Sequence, residues 1–152
     1  VGSEMTRAKM ISVVESEACL HIATHVEWVD MKAGPAPALE ISNNELFTVG
    51  HLSEHIGSRE LVILAGCETA GGRVLDGEGV LGFAHAFLAS GTRGVVATLW
   101  PVDDGAAREF GVALHEGLLA KCSPSAAVRS AGRRLRDAGR ADWAAFQLLG
   151  RD

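Results

Sequence analysis

Leu61-Val-Ile-Leu-Ala65 is a continuous apolar run that leads directly into Gly66-Cys67. A run without polar alternation is typical of a central parallel strand that is covered on both faces. Segments with helical periodicity lie before and after it, and such alternation favours an α/β fold. We therefore predict an α/β domain with a mostly parallel sheet, in which Cys67 follows the carboxyl end of a central strand.

Two further strands are predicted around this one. Residues 18–25 are rich in apolar and β-branched side chains, and residues 94–100 read GVVATLW. If the strands are parallel, His25, Cys67 and the pair Asp103-Asp104 each follow the carboxyl end of a strand. Ligands bind at that edge of an open α/β sheet. We therefore expect the three places to converge on one rim.

The other elements are predicted from caps and periodicity. Either Asp103 or Asp104 is placed to cap a helix that reaches residue 121, and Ser123-Pro124 has the N-cap and N1 residues of a further helix. The remaining predicted elements are helices over residues 5–16 and 80–90, the second closed by Gly91, and a last strand over residues 143–149.

Two local predictions concern residues 34–56. The Gly-Pro-Ala-Pro stretch at residues 34–37 is typical of a loop. Ser42 and Glu45 have the S-x-x-E spacing of a capping box, in which both side chains satisfy backbone N–H groups. We therefore expect a helix from there to about residue 56.

Length and composition predict one packed domain. The chain has 152 residues, of which 47% are hydrophobic and 22% charged, as is ordinary for a globular protein. The formal net charge of −5 gives no footprint for nucleic acid, and no apolar run approaches the ~20 residues of a membrane span. Because Val1 is not an initiator Met, we expect residues 1–152 to be one domain from a longer protein, or to begin with a tag remnant within residues 1–4.

The cysteines argue against a disulfide framework or a zinc site. Cys19, Cys67 and Cys122 are odd in number and form no C-x-x-C pair. His51 and His55 are four residues apart on a predicted helix, but a third metal ligand is not evident, so a solvated helix face is favoured. We expect no metal, no cofactor and a reducing cytoplasmic location.

Cys67 and His25 are the pair best suited to covalent catalysis. A thiol is a useful nucleophile near neutral pH only when a base or positive charge favours the thiolate. The separation of the two residues allows one strand-to-strand crossover, which would place them side by side. A lone cysteine is more often a small buried hydrophobe. The position of Cys67 at a strand end, before a glycine-rich loop, favours the catalytic interpretation.

Six segments together carry a resemblance to a known family. In chain order they resemble the CHAT family, a caspase-like domain that is often found beside tetratricopeptide repeats and is related to separases. The segments are LHIATH at residues 20–25, LVILAGCET at 61–69, GEG at 77–79, AFLASG at 86–91, VATLWPVDD at 96–104 and WAAFQLLG at 143–150.

The resemblance implies a caspase-like αβα sandwich and a cysteine peptidase of clan CD, of bacterial type. His25 takes the family's catalytic His position and Cys67 its nucleophile position. The backbone N–H of Cys67, with that of Gly66 or Val26, would stabilise the oxyanion. Family members also carry a preceding half with further strands, which we expect to be missing from residues 1–152. The resemblance thus implies a tetratricopeptide-repeat or other regulatory partner region, and a sheet edge that is open to a second copy.

The resemblance also implies a protein or peptide substrate with a basic residue before the scissile bond. The separase segment that resembles residues 99–104 contributes to a pocket for a substrate Arg, and Asp103 and Asp104 can meet a guanidinium in bidentate fashion. Asp76 and Glu78 would add to the negative field. Two rival interpretations stay open: a catalytically silent scaffold or interaction module, and a nucleotide-binding α/β domain.

Overall fold

A computed structural model of the protein describes residues 5–16, 18–24, 26–32, 34–42, 45–53, 59–65 and 78–152. In chain order the elements are α1 (Arg7–Ser16), β1 (Cys19–Ile22), β2 (Val26–Met31), β3 (Gly34–Glu40), β4 (Leu46–Thr48), α2 (Val49–Ser53), β5 (Leu61–Leu64), α3 (Glu78–Ala89), β6 (Gly94–Thr98), α4 (Asp104–Leu119), α5 (Pro124–Asp137), a 3-10 turn (Ala141–Ala144) and β7 (Phe146–Gly150).

The main sheet has the strand order β1-β5-β6-β7. β5 is parallel to both of its neighbours, whereas β7 is antiparallel to β6. All four residues of β5 are buried, as its uninterrupted apolar sequence indicates. The α/β class and the mostly parallel sheet are therefore confirmed, with the last strand running in the opposite direction.

Two hydrophobic cores cover the two faces of this sheet. Val62 and Val95 belong to a core that includes residues of α1 and α3. Ile63 and Val96 point to the other face, where the second core includes residues of α4 and α5. Side chains alternate between faces along a strand, so β5 and β6 supply both cores. The result is an αβα arrangement, consistent with a caspase-like fold.

A second sheet follows β1 and corrects the loop predicted at residues 34–37. These residues begin β3, the middle strand of the antiparallel order β2-β3-β4. Proline interrupts a strand only where its missing N–H is needed. Pro35 and Pro37 are two positions apart in β3, and backbone N–H groups alternate between the two edges of a strand. Both missing N–H groups therefore lie on the same edge. β4 pairs only with residues 38–40, so the edge of β3 at the two prolines can lie where no neighbouring strand needs their N–H groups.

The helix predicted from Ser42 to residue 56 is wrong in its first part, while residues 43–44 and 54–56 lie outside the described residues. Residues 46–48 form β4 and bury Phe47 completely, and α2 begins only at Val49. Glu45 does cap a helix, but its carboxylate accepts the backbone N–H of Arg7, the first residue of α1, at 3.1 Å. Residues 46–48 form a strand rather than a helix because the strand places Phe47 in the core.

The other predicted caps are confirmed. Asp103 is the N-cap of α4, and its Oδ1 accepts the N–H of Ala106 at 3.1 Å. Ser123 caps α5, with Pro at the first position. Gly91 follows α3 with φ at +96°, a conformation that glycine adopts without strain.

β1 is an edge strand in the described part of the chain. Its Leu20 and Ile22 are buried, whereas Cys19 and His21 on the opposite face are exposed. Among the described helices, the longest has 16 residues, and none is long and apolar enough to cross a bilayer.

Phe110 and Phe146 provide a test of the core beneath α4. Their rings stack with centroids 3.8 Å apart, and Phe110 is 2% exposed. We expect Phe110→Ala to lower the free energy of unfolding by about 3–5 kcal/mol in urea denaturation, since it leaves a cavity. Val112→Ala, at a position on the same helix that is 53% exposed, should change it by less than about 0.5 kcal/mol. Equal effects would contradict this packing.

Candidate active site

The carboxyl ends of β1 and β5 are held together by a backbone hydrogen bond. The two strands pair in parallel up to Ile22 opposite Leu64, and the N–H of Ala65 then donates to the carbonyl of Ile22 at 2.9 Å. His25 and Cys67 follow these two ends within three residues, and both lie outside the described residues. The segments that carry the predicted dyad thus leave the sheet from adjacent positions.

The residues on either side of position 25 are both fastened to the end of β3. The Thr24 hydroxyl donates to the carbonyl of Glu40 at 2.5 Å. Val26 is the first residue of β2, is 3% exposed and lies opposite Leu39 of β3. The connection from β1 to the second sheet is therefore anchored immediately before and immediately after the predicted general base.

The predicted acidic pair lies at the carboxyl end of β6, where the rim was expected. Asp103 uses its side chain to cap α4, and Asp104 is the exposed first residue of that helix. As expected, one of the two residues is a helix cap. The cap role reduces the capacity of Asp103 to bind another group.

Asp142 is a rim residue that the sequence analysis missed. Its carboxylate accepts the indole N–H of Trp100 and the backbone N–H of Asp103, each at 3.4 Å. It lies before β7, whose first residue, Phe146, is opposite Thr98 at the carboxyl end of β6. A parallel last strand would have placed this turn at the other end of the sheet. Only the antiparallel direction of β7 brings Asp142 to the rim.

A cation offsets part of the negative charge on this rim. Arg140 donates to both carboxylate oxygens of Glu109, through Nε at 3.2 Å and through Nη2. The hydrogen bond from Arg140 lowers the pKa of Glu109, and the Glu109 carboxylate raises the pKa of Arg140, with smaller contributions from Asp103 and Asp142. The positive charge of Arg140 therefore lies near Asp103 and Asp142.

His21 pairs with His115 of α4 rather than packing in the core. Nδ1 of His21 is 2.9 Å from Nε2 of His115, and the ring centroids are 5.0 Å apart. The ring packs near Gly111, where an added Cβ would lie 3.8 Å from its Cε1. The residue is nevertheless exposed.

Several candidate residues lie outside the described part of the chain. They are Gly66, Asp76 and His55, and the backbone of Glu78 is described as the start of α3 without its side chain.

Nδ1 of His51 accepts the N–H of Thr48 at 3.1 Å. Within the described ranges, no three His, Cys, Asp or Glu side chains are grouped so as to hold a metal ion.

The His21–His115 pair predicts a dependence of stability on pH. Burial, and then the charge of His115, lowers the pKa of His21 below its ordinary value. The unfolded chain therefore binds more protons at acidic pH, and the free energy of unfolding should decrease as the pH falls below about 6.5.

Urea denaturation at pH 7.5 and 5.5 tests this dependence. His115→Gln should reduce the loss of stability on acidification, because it removes the second charge. His85→Gln, in α3 on the opposite face of the sheet, serves as the control and should behave as the parent protein. An unchanged loss in His115→Gln would contradict the coupling.

Comparisons with known proteins identify the family. The model of the CHAT domain matches residues 1–151. Tetratricopeptide repeat protein 28 of Mus musculus is 27% identical over an alignment of 192 residues, and the protein of the same name of Homo sapiens is 26% identical over the same length. The alignments cover 100% of this chain but only 8% of each relative. Because the family match spans almost the whole sequence, the chain belongs to the CHAT domain family.

Proposed function

We propose that this CHAT domain is a cysteine endopeptidase in which His25 is the general base and Cys67 the nucleophile. The observation that carries the proposal is the hydrogen bond between Ala65 and Ile22, which joins the strand ends from which the two residues follow. Family membership supports it as well. The adjacent strand ends support the proposal, because a thiol and an imidazole act as a dyad only within hydrogen-bond reach of each other.

The proposed reaction is acyl transfer to the thiol and then to water. His25 takes the thiol proton, and the Cys67 sulfur attacks the substrate carbonyl. The backbone N–H of Cys67, with that of Gly66 or Val26, stabilises the resulting oxyanion. The imidazolium gives its proton to the leaving amine as the C–N bond breaks. Water, deprotonated by His25, then hydrolyses the thioester and releases the acid.

We further propose that the enzyme prefers a basic residue before the scissile bond, with Asp103 and Asp104 contributing to the acidic site. Asp103 is engaged in the cap, and Arg140 lies close to Asp103 and Asp142. Asp104 is exposed at the start of α4. Asp76 and Glu78 would strengthen the negative field at the substrate's basic group.

Three features of the surroundings are part of the same proposal. The chain spans less than a tenth of the curated relatives that it matches, and both are named as tetratricopeptide repeat proteins. We propose that the full-length protein carries such a repeat region. The exposed free thiols of Cys19 and Cys122 suit a reducing cytoplasm. The edge strand β1 suits pairing with a second copy.

Alkylation tests the dyad. Cys19 and Cys122 are exposed, so exposure alone would make them react readily with iodoacetamide. Partial burial of its thiol raises the pKa of Cys19, so we expect slower alkylation there. We expect Cys67 to react at least about tenfold faster than either near pH 7, because only a partnered thiol is substantially ionised there. The rate at each site is measured by mass spectrometry of the digested protein.

His25→Ala should slow alkylation of Cys67 and leave that of Cys122 unchanged. Equal rates at all three cysteines in the parent protein would remove the support for the dyad. If Cys67 is alkylated at the expected rate but the folded protein cleaves no peptide, the scaffold interpretation is favoured.

Specificity is tested with fluorogenic peptides that carry Arg, Lys, Asp, Asn or Leu before the scissile bond. We expect Arg and Lys to be preferred, and Asp104→Asn to reduce kcat/KM for Arg by about tenfold, while the rate for Leu stays nearly the same. Asp137→Asn, at the end of α5, is the matched control for charge. A preference for Asp in the parent protein would refute the acidic site.

A further inference from the structure

Three residues close to the predicted general base in sequence make contacts that hold the connection between β1 and β2. Ile22 accepts the N–H of Ala65, Thr24 donates to Glu40, and Val26 pairs with Leu39. The first and third contacts are parts of sheets and involve backbone groups. The second is made by a side chain, and Thr24 directly precedes His25.

The acceptor of the Thr24 hydroxyl is itself fixed in place. Glu40 is the last residue of β3 and lies opposite Leu46 of β4, while the next residue, Ile41, donates its N–H to Glu45 at 2.9 Å. The acceptor atom is a backbone carbonyl, which can only accept, so the Thr24 hydroxyl is the donor. Its O···O distance of 2.5 Å is at the short end of the normal range. A strand that is paired with β2 and β4 therefore determines where Thr24 is held.

We propose that Thr24 is a positioning residue, whose hydroxyl bond to Glu40 sets the placement of the His25 imidazole relative to the Cys67 thiol. This inference rests on the proposed function. Thr24 itself touches neither substrate nor the reacting sulfur in this scheme. It acts through the backbone of the adjacent residue, and a displacement of about 1 Å in a reacting group can slow a reaction by as much as a hundredfold.

The test compares Thr24→Val, which replaces the hydroxyl with a methyl of similar size, with Thr24→Ser, which keeps the hydroxyl. Alkylation of Cys67 by iodoacetamide is followed from pH 5 to pH 9 in the full chain. We expect Thr24→Val to slow alkylation at pH 7 by about tenfold and to move the pH profile towards that of His25→Ala. Thr24→Ser should stay within about threefold of the parent protein.

Thr92→Val is the matched control. Thr92 is 4% exposed, its hydroxyl has no hydrogen-bond partner in the described structure, and it lies before β6, at the end of the sheet away from the rim. This change removes a buried hydroxyl without touching the β1–β2 connection, so the pH profile should remain that of the parent protein. If Thr24→Val does not fold by circular dichroism, Thr24→Ala takes its place with the same expected slowing.

The outcomes separate this inference from the proposed function. If His25→Ala slows alkylation but Thr24→Val does not, Thr24 has no positioning role and the dyad stands. If Thr24→Ser is as slow as Thr24→Val, the hydroxyl is not the cause and the inference is overturned. If His25→Ala alkylates like the parent protein, the dyad is refuted, and the positioning role is refuted with it.

Discussion

All four residues of β5 are buried, and their backbone groups are paired with β1 on one side and β6 on the other. Buried peptide groups must be hydrogen-bonded, so this strand fixes the register of both neighbours. It also separates the two cores, because alternate side chains of β5 enter opposite ones. β1 ends level with β5, and β6 ends one position further on, so the carboxyl ends of these three parallel strands form one rim.

The sequence predicted the elements whose local signals agree with their packing. β5 and β6 are apolar throughout, and Asp103 and Ser123 are helix caps in the expected places. The errors fall where distant contacts decide. Glu45 has the local signature of a cap, but its partner is Arg7, thirty-eight positions away. A proline normally argues against a central strand, but Pro35 is accommodated because β3 pairs only with β2 at that position.

The same distinction separates the predicted and unpredicted parts of the site. The position of Asp103 after a parallel strand follows from the chain alone, because parallel strands end at a common edge. Asp142 requires the direction of β7, which neither periodicity nor composition determines. His21 of β1 contacts His115 of α4, and the two residues are 94 positions apart in sequence. No local sequence pattern indicates this contact. The proposed dyad was suggested by the positions of His25 and Cys67 at strand ends and by the resemblance, whereas the hydrogen bond of Thr24 depends on the path of β3.

The distribution of tryptophan gives the protein an intrinsic optical reporter. Trp100 and Trp143 are 40% and 44% exposed, and both lie at the end of the sheet where β6 stops and β7 begins. Trp28 is in β2, two residues after Val26. None of the three belongs to the buried clusters, whose aromatic members are phenylalanines. Emission from this protein therefore reports on the rim and the neighbouring hairpin, so a ligand that displaces water there changes the spectrum while the interior contributes almost no signal.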